Sequence, residues 1–150
     1  MQAHDFVRLL RRVRHDYGNH LQVISGYLQM GMMDRVKDYV DEVARELMEE
    51  RTVFQAAEPE AALYFYEQIL AARDMGIIIR YDDLDVASWE ILKLRNEPAQ
   101  SIARLQDKIG DTKGDTSPVL YLSFYEDSAG IDMFISDDAG EIEKIRLNRE

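Results

Sequence analysis

The chain has 150 residues, no cysteine, 46% hydrophobic residues and a formal net charge of -11, which fits one ordinary globular domain or two small ones. The absence of cysteine excludes disulfides, thiolate catalysis and cysteine-ligated zinc, and three scattered histidines offer no metal-ligand spacing. So acidic a surface argues against nucleic acid as a partner, and no apolar run approaches the roughly 18 residues of a membrane span, so a cytoplasmic protein is expected.

The charge is uneven. Residues 1–57 carry 8 basic and 9 acidic side chains, whereas residues 58–150 carry 10 and 20. Arg8, Arg11, Arg12 and Arg14 concentrate positive charge near the N-terminus, which suits an anionic partner or a phosphoryl group. A solvated helix face is the plainer alternative.

From Ala3 to Met30 the residues Phe6, Leu10, Val13, Tyr17, Leu21, Ile24 and Leu28 recur at intervals of three or four, the pattern of one long amphipathic helix. At about 100° per residue His20 falls within that stripe and His15 falls almost opposite it. The spacing therefore predicts a packed His20 and an exposed His15, the latter beside small Gly18 and Gly26. Gly31 is placed to end the helix, and Asp34 to cap a second one carrying Val36, Tyr39, Val40, Val43, Leu47 and Phe54 at the same spacing. So short a connection folds the two into an antiparallel hairpin. Two helices cover each other only in part, so a second copy completing a four-helix bundle is expected.

Glu58-Pro59 breaks the pattern and marks a boundary between residues 1–57 and 58–150. Beyond it, Ala61–Met75 predicts a helix, Ile77–Tyr81 a strand, and Val86–Ile109 a helical region interrupted by Pro98, with Asn96 as the cap of a fresh helix starting at Glu97. Gly110–Asp115 predicts a loop. Val119–Tyr125 and Ile131–Ser136 alternate around Ser128-Ala129-Gly130, a hairpin signal. The order of elements predicts an α+β fold with helices on one face of a small sheet. The Asp82-Asp83-x-Asp85 cluster lacks the other ligands of a calcium loop, and Trp89 is expected in the core.

His15 has no serine elbow, cysteine or triad partner beside it, so hydrolytic chemistry is unsupported. An exposed imidazole on a rigid helix can instead carry a phosphoryl group itself. Arginines would offset phosphate charge, and Asn19 and Gln22 could hydrogen-bond its oxygens.

Arg14-His15-Asp16-x-x-Asn19-His20-Leu21-Gln22-x-Ile24-x-Gly26-x-Leu28-Gln29 closely resembles the H-box helix of sporulation-phosphotransferase-type histidine kinases. That group includes citrate and dicarboxylate sensor kinases and a sporulation initiation phosphotransferase that keeps the hairpin but lacks kinase activity. The resemblance implies that His15 is the phosphoacceptor in a dimeric four-helix bundle, followed by a degenerate ATPase-like α/β sandwich domain. Arg11, Arg12 and Arg14 would offset charge or guide docking, Asn19 and Gln22 would orient oxygens, and Asp16 would align the imidazole.

The C-terminal resemblance is weaker. The family's paired asparagines correspond to Asn96 and Gln100, with Pro98 between them, and its Asp-x-Gly-x-Gly loop to Asp137-Asp138-Ala139-Gly140-Glu141. Glutamine and glutamate stand where magnesium and polyphosphate would be approached. The resemblance thus implies a homodimeric phosphorelay phosphotransferase with no tightly bound cofactor. Its partners would be response-regulator receiver domains, which would hold the Mg2+. A binding protein that sequesters a kinase or regulator, and the cytosolic part of a longer sensor kinase, are the alternatives.

Overall fold

A computed structural model describes residues 2–56, 58–84, 86–109 and 117–149. The Gly110–Asp115 loop and Asp85 of the acidic cluster lie outside the described residues. Helices α1 (Ala3–Gln29), α2 (Met33–Ala56) and α3 (Pro59–Asp74) precede strand β1 (Ile78–Tyr81). Helices α4 (Trp89–Leu94) and α5 (Ala99–Ile109) follow, then strands β2 (Val119–Glu126), β3 (Gly130–Asp137) and β4 (Gly140–Asn148). The chain divides into two compact units, Met1–Met48 and Glu49–Glu150, so the last turns of α2 belong to the second.

In the first unit, α1 runs unbroken for 27 residues. It ends where expected, with Gly31 at φ +70°, a left-handed position that glycine adopts without a Cβ penalty. Asp34 lies within the first turn of α2 rather than at its cap, because Met32 O already accepts the Val36 N–H and starts the helix earlier. None of the side chains of α1 is buried. Phe6, Leu10, Tyr17, Leu21 and Leu28 are 45% to 66% exposed, and Val40 and Leu47 on α2 are also exposed.

The second unit holds the core. Its four-stranded sheet has the order β1-β2-β3-β4, with β1 parallel to β2 and the remaining pairs antiparallel. Leu120, Leu122, Ile131, Met133, Ile135 and Leu147 point to one face and are essentially inaccessible. The alternate residues stay partly or fully exposed, so the sheet is covered on one side only, as the alternation predicted. Phe65 of α3 joins that core, with ring centroids 5.3 Å from Tyr81 and 5.9 Å from Phe124. Val53 of α2 is 1% exposed, Glu50 is ion-paired with Arg73, and Phe54 lies against Tyr66, which accounts for the end of α2 belonging here. At Gly130, a Cβ would overlap the Leu147 carbonyl, so β3 and β4 meet at their closest only with glycine there.

Two further differences from the expected elements lie in the second unit. Strand β4 went unrecognised because a bulge, where Ser136 pairs with Glu141 but Ile135 with Glu143, puts an extra residue into β4. Ile142 and Ile145 are therefore three apart rather than two or four, and strict alternation is lost. Asn96 does not cap α5 with its side chain. It sits at φ 52° and its Oδ1 accepts from Gln68 Nε2 at 2.9 Å. Gln68 Oε1 then accepts the Ala99 N–H at 2.7 Å, so α3 supplies the cap from 31 residues away.

Glu97 is 4% exposed. Burial pushes its carboxyl up from the usual range, against the lowering effect of hydrogen bonds from Ser101 and the charge of Arg104. A carboxyl raised on folding favours the folded state at low pH and loses that contribution as pH rises through its folded value. Glu97→Gln is therefore expected to raise Tm at pH 8, with the difference shrinking below pH 4 in scanning calorimetry. An equal Tm difference at both pH values would contradict it.

Candidate functional site

The exposed face of α1 presents His15, whose side chain is 70% accessible. Its Nδ1 faces Asn19 Nδ2 at 3.4 Å and Asp16 Oδ1 at 3.6 Å. These groups are one turn and one residue along the same helix, so the backbone alone fixes their approach. Nε2 has no partner among the described residues. Gly18 and Gly26 have open space where a Cβ would stand, leaving bare backbone about one turn from the imidazole at Gly18 and about three turns along the same face at Gly26. The combination is an anchored ring with one nitrogen engaged and one free, on a surface that another protein can approach closely.

The expected supporting residues do not all converge. Arg12 Nε lies 3.3 Å and 3.2 Å from the two carboxylate oxygens of Asp16, an i, i+4 pair with side chains 30% and 26% exposed. Arg12 is therefore committed to Asp16 and acts on His15 through it, whereas Arg11 and Arg14 are exposed and have no ion-pair partner among the described residues. Gln22 is exposed two turns beyond His15 and makes no contact with the ring. Arg11, Arg14, Asn19 and Gln22 are thus the polar groups left on the open surface. Asp16 is half-withdrawn and already neutralised.

His20 takes the opposite role, as its place on the stripe predicted. It is partly buried, and its Nδ1 lies 2.6 Å from Tyr39 Oη on α2. Burial, with the nearby charges of Glu46 and Glu42, holds the Tyr39 hydroxyl above its usual range, so Tyr39 keeps its proton and is able to donate it to Nδ1. Tyr27 adds an edge contact to the same ring at 6.4 Å. Sequence reasoning placed Tyr39 on the apolar stripe and missed its hydrogen bond. The available signal was a tyrosine and a histidine facing one another across a short hairpin.

Among the described residues no group of acidic or histidine side chains is arranged to hold a metal ion, and no helix is long and apolar enough to cross a membrane.

Residues 1–56 match the family model described as the alpha-helical domain of SpoOB-type sensor kinases. No curated protein matches the chain. The match covers α1 and α2 and ends at the last residue of α2, and it links this hairpin to two-component signalling, in a phosphotransfer or sensor-kinase-related role.

The His20–Tyr39 bond ties α1 to α2. Tyr39→Phe is expected to lower the unfolding free energy by about 1 kcal/mol, the usual value of a partly buried hydrogen bond, in urea titrations followed by circular dichroism. An unchanged midpoint would contradict that assignment.

Proposed function

We propose that the protein is a phosphorelay phosphotransferase, in which His15 accepts a phosphoryl group from the aspartyl phosphate of one response regulator and passes it to another. The observation that carries this reading is the asymmetry of the His15 ring, with Nδ1 held beside Asp16 and Asn19 and Nε2 free, on the helix that matches the family.

With the proton on Nδ1 and directed at Asp16, Asn19 Nδ2 no longer donates to the ring and is left for the phosphoryl oxygens, and the Nε2 lone pair attacks phosphorus. The N–P bond forms as the P–O bond to the donor aspartate breaks, and that carboxylate leaves with the electron pair. The positive charge gained by the ring sits at Nδ1–H beside Asp16, and Arg12 keeps that carboxylate in place. Arg11 and Arg14 offset the phosphoryl charge and guide the acidic face of an incoming receiver domain, while Asn19 and Gln22 orient oxygens. The second transfer runs the same steps in reverse. Mg2+ is required only on the receiver domain.

The exposed apolar residues of α1 and α2 support a second copy of the chain as the occupant of that face. Covering a half-exposed leucine or phenylalanine contributes about 1 kcal/mol, and the stripe runs the length of α1. A four-helix bundle of two hairpins leaves His15 outside, on the side opposite the stripe.

Phosphate is proposed to come from another protein rather than from ATP held by residues 58–150. The segment Asp137–Gly140 makes a tight hairpin turn. The Asp137 carboxylate accepts the N–H groups of Ala139 at 2.9 Å and Gly140 at 3.2 Å, so it is spent on the turn, and Glu141 follows directly. Gln100 is exposed on α5. These residues do not form a cradle suited to a polyphosphate.

Incubation with a phosphorylated receiver domain is expected to give an acid-labile, alkali-stable label that falls to background in His15→Gln. Failure to label across a panel of phosphorylated regulators would overturn the proposal and favour a sequestering role. A label formed directly from ATP would favour a sensor kinase.

A further inference from the structure

The uncovered face of the sheet carries a trough that transfer at His15 does not use. Ser123, Tyr125, Asp132, Phe134, Ser136 and Glu141 line an open cavity of about 540 Å³, within the size range of small-molecule sites. They converge because outward positions alternate along β2 and β3, and because Glu141 faces Ser136 across the β3–β4 ladder. Tyr125 is 60% exposed, one of only three large apolar side chains, with Phe54 and Leu94, that the described part of the second unit exposes. Its ring meets Phe134 edge to face at 5.3 Å and 85°, making an aromatic corner that runs from the Asp132 end, where Tyr125 pairs with Asp132, to the middle of the trough at Phe134.

Charge is arranged along the trough's length. Asp132 and Ser136 are four residues apart on β3, roughly 13 Å by strand rise, so a carboxylate stands at each end, with Tyr125 beside Asp132 and Phe134 between the two ends. No basic side chain lines the cavity. The chain's own cations stand at its margin: Lys144 Nζ is 5.4 Å from the Phe134 ring centroid. Arg146 reaches Asp132 Oδ1 at 3.3 Å while also bonding Asp127 at 2.8 Å. Glu141 has no partner among the described residues. Aromatic faces attract cations, and carboxylates and hydroxyls accept from ammonium groups. The face already binds cationic groups from its own chain.

We propose that this trough binds a linear polyamine, with its terminal ammonium groups on Asp132 and Glu141, its methylene chain across Tyr125 and Phe134, and Ser123 and Ser136 accepting further N–H bonds. The central ammonium of a triamine takes the position over Phe134 that Lys144 holds in the free protein. This site stands independently of phosphotransfer at His15.

Titration calorimetry of the full chain with spermidine at physiological ionic strength, where diffuse attraction to an acidic surface is screened, tests it. Saturable binding at one site is expected. Glu141→Gln and Phe134→Leu should each weaken it by about fivefold or more, and Lys144→Gln should tighten it by removing the competing cation. 1,3-Diaminopropane, too short to reach both carboxylates, should bind far more weakly. Circular dichroism checks that each variant is folded, and Tyr125→Leu replaces Phe134→Leu if the latter is not. No saturable binding, an affinity indifferent to the aromatic variants, or equal binding of the short diamine would overturn the proposal. So would displacement of spermidine by an equal concentration of a tetra-arginine peptide, which would assign the face to protein docking.

Discussion

An amphipathic helix that buries none of its side chains within its own chain is the constraint on which this protein turns. Phe6, Leu10, Tyr17, Leu21 and Leu28 of α1 remain 45% to 66% exposed, while the other unit packs Phe65, Leu122 and Ile135 to essentially zero accessibility. The contrast shows that the hairpin is not a poorly packed version of the same kind of domain. Its apolar stripe is continuous, helical in period and lined up with a second stripe on α2, which is how a surface built for another helical pair is written in sequence. Water-exposed apolar area on this scale is ordinarily an interaction surface.

The chemistry of His15 follows from the same geometry. In the proposed dimer α1 gives one side to α2 and another to the second copy, and the strip left open carries His15 with Arg11, Arg14, Asn19, Gln22 and two glycines. His20, five residues on, falls on the packed side and is held by Tyr39. The two histidines differ in role because 500° of helical rotation separates their faces by about 140°. The Arg12–Asp16 pair lies between the open and packed surfaces, where it steadies the carboxylate beside the imidazole without presenting a free guanidinium.

The elements whose signals are local were legible in the sequence. The two long helices, the Gly31 turn, the β2–β3 hairpin and the separation of His15 from His20 all follow from periodicity or from one residue's backbone preference. What stayed hidden depends on contacts between distant positions. Strand β4 is disguised by a bulge that only its pairing with β3 reveals. The cap of α5 comes from Gln68, which no reading of the residues around Asn96 could find. The Tyr39 hydrogen bond to His20 is likewise a product of packing, whereas the Arg12–Asp16 pair is a local i, i+4 spacing on α1. The polar trough on the open sheet face was present as outward alternation in β2 and β3, but its end at Glu141 required the ladder register.

The proposed phosphotransfer at His15 requires that the apolar face opposite it be covered by a second copy of the hairpin. Light scattering coupled to size-exclusion chromatography measures this directly. A mass of twice 17.4 kDa, falling to the single-chain value when Leu21 is replaced by glutamate, is the result the account predicts. A wild-type protein that runs at 17.4 kDa at micromolar concentration would contradict it.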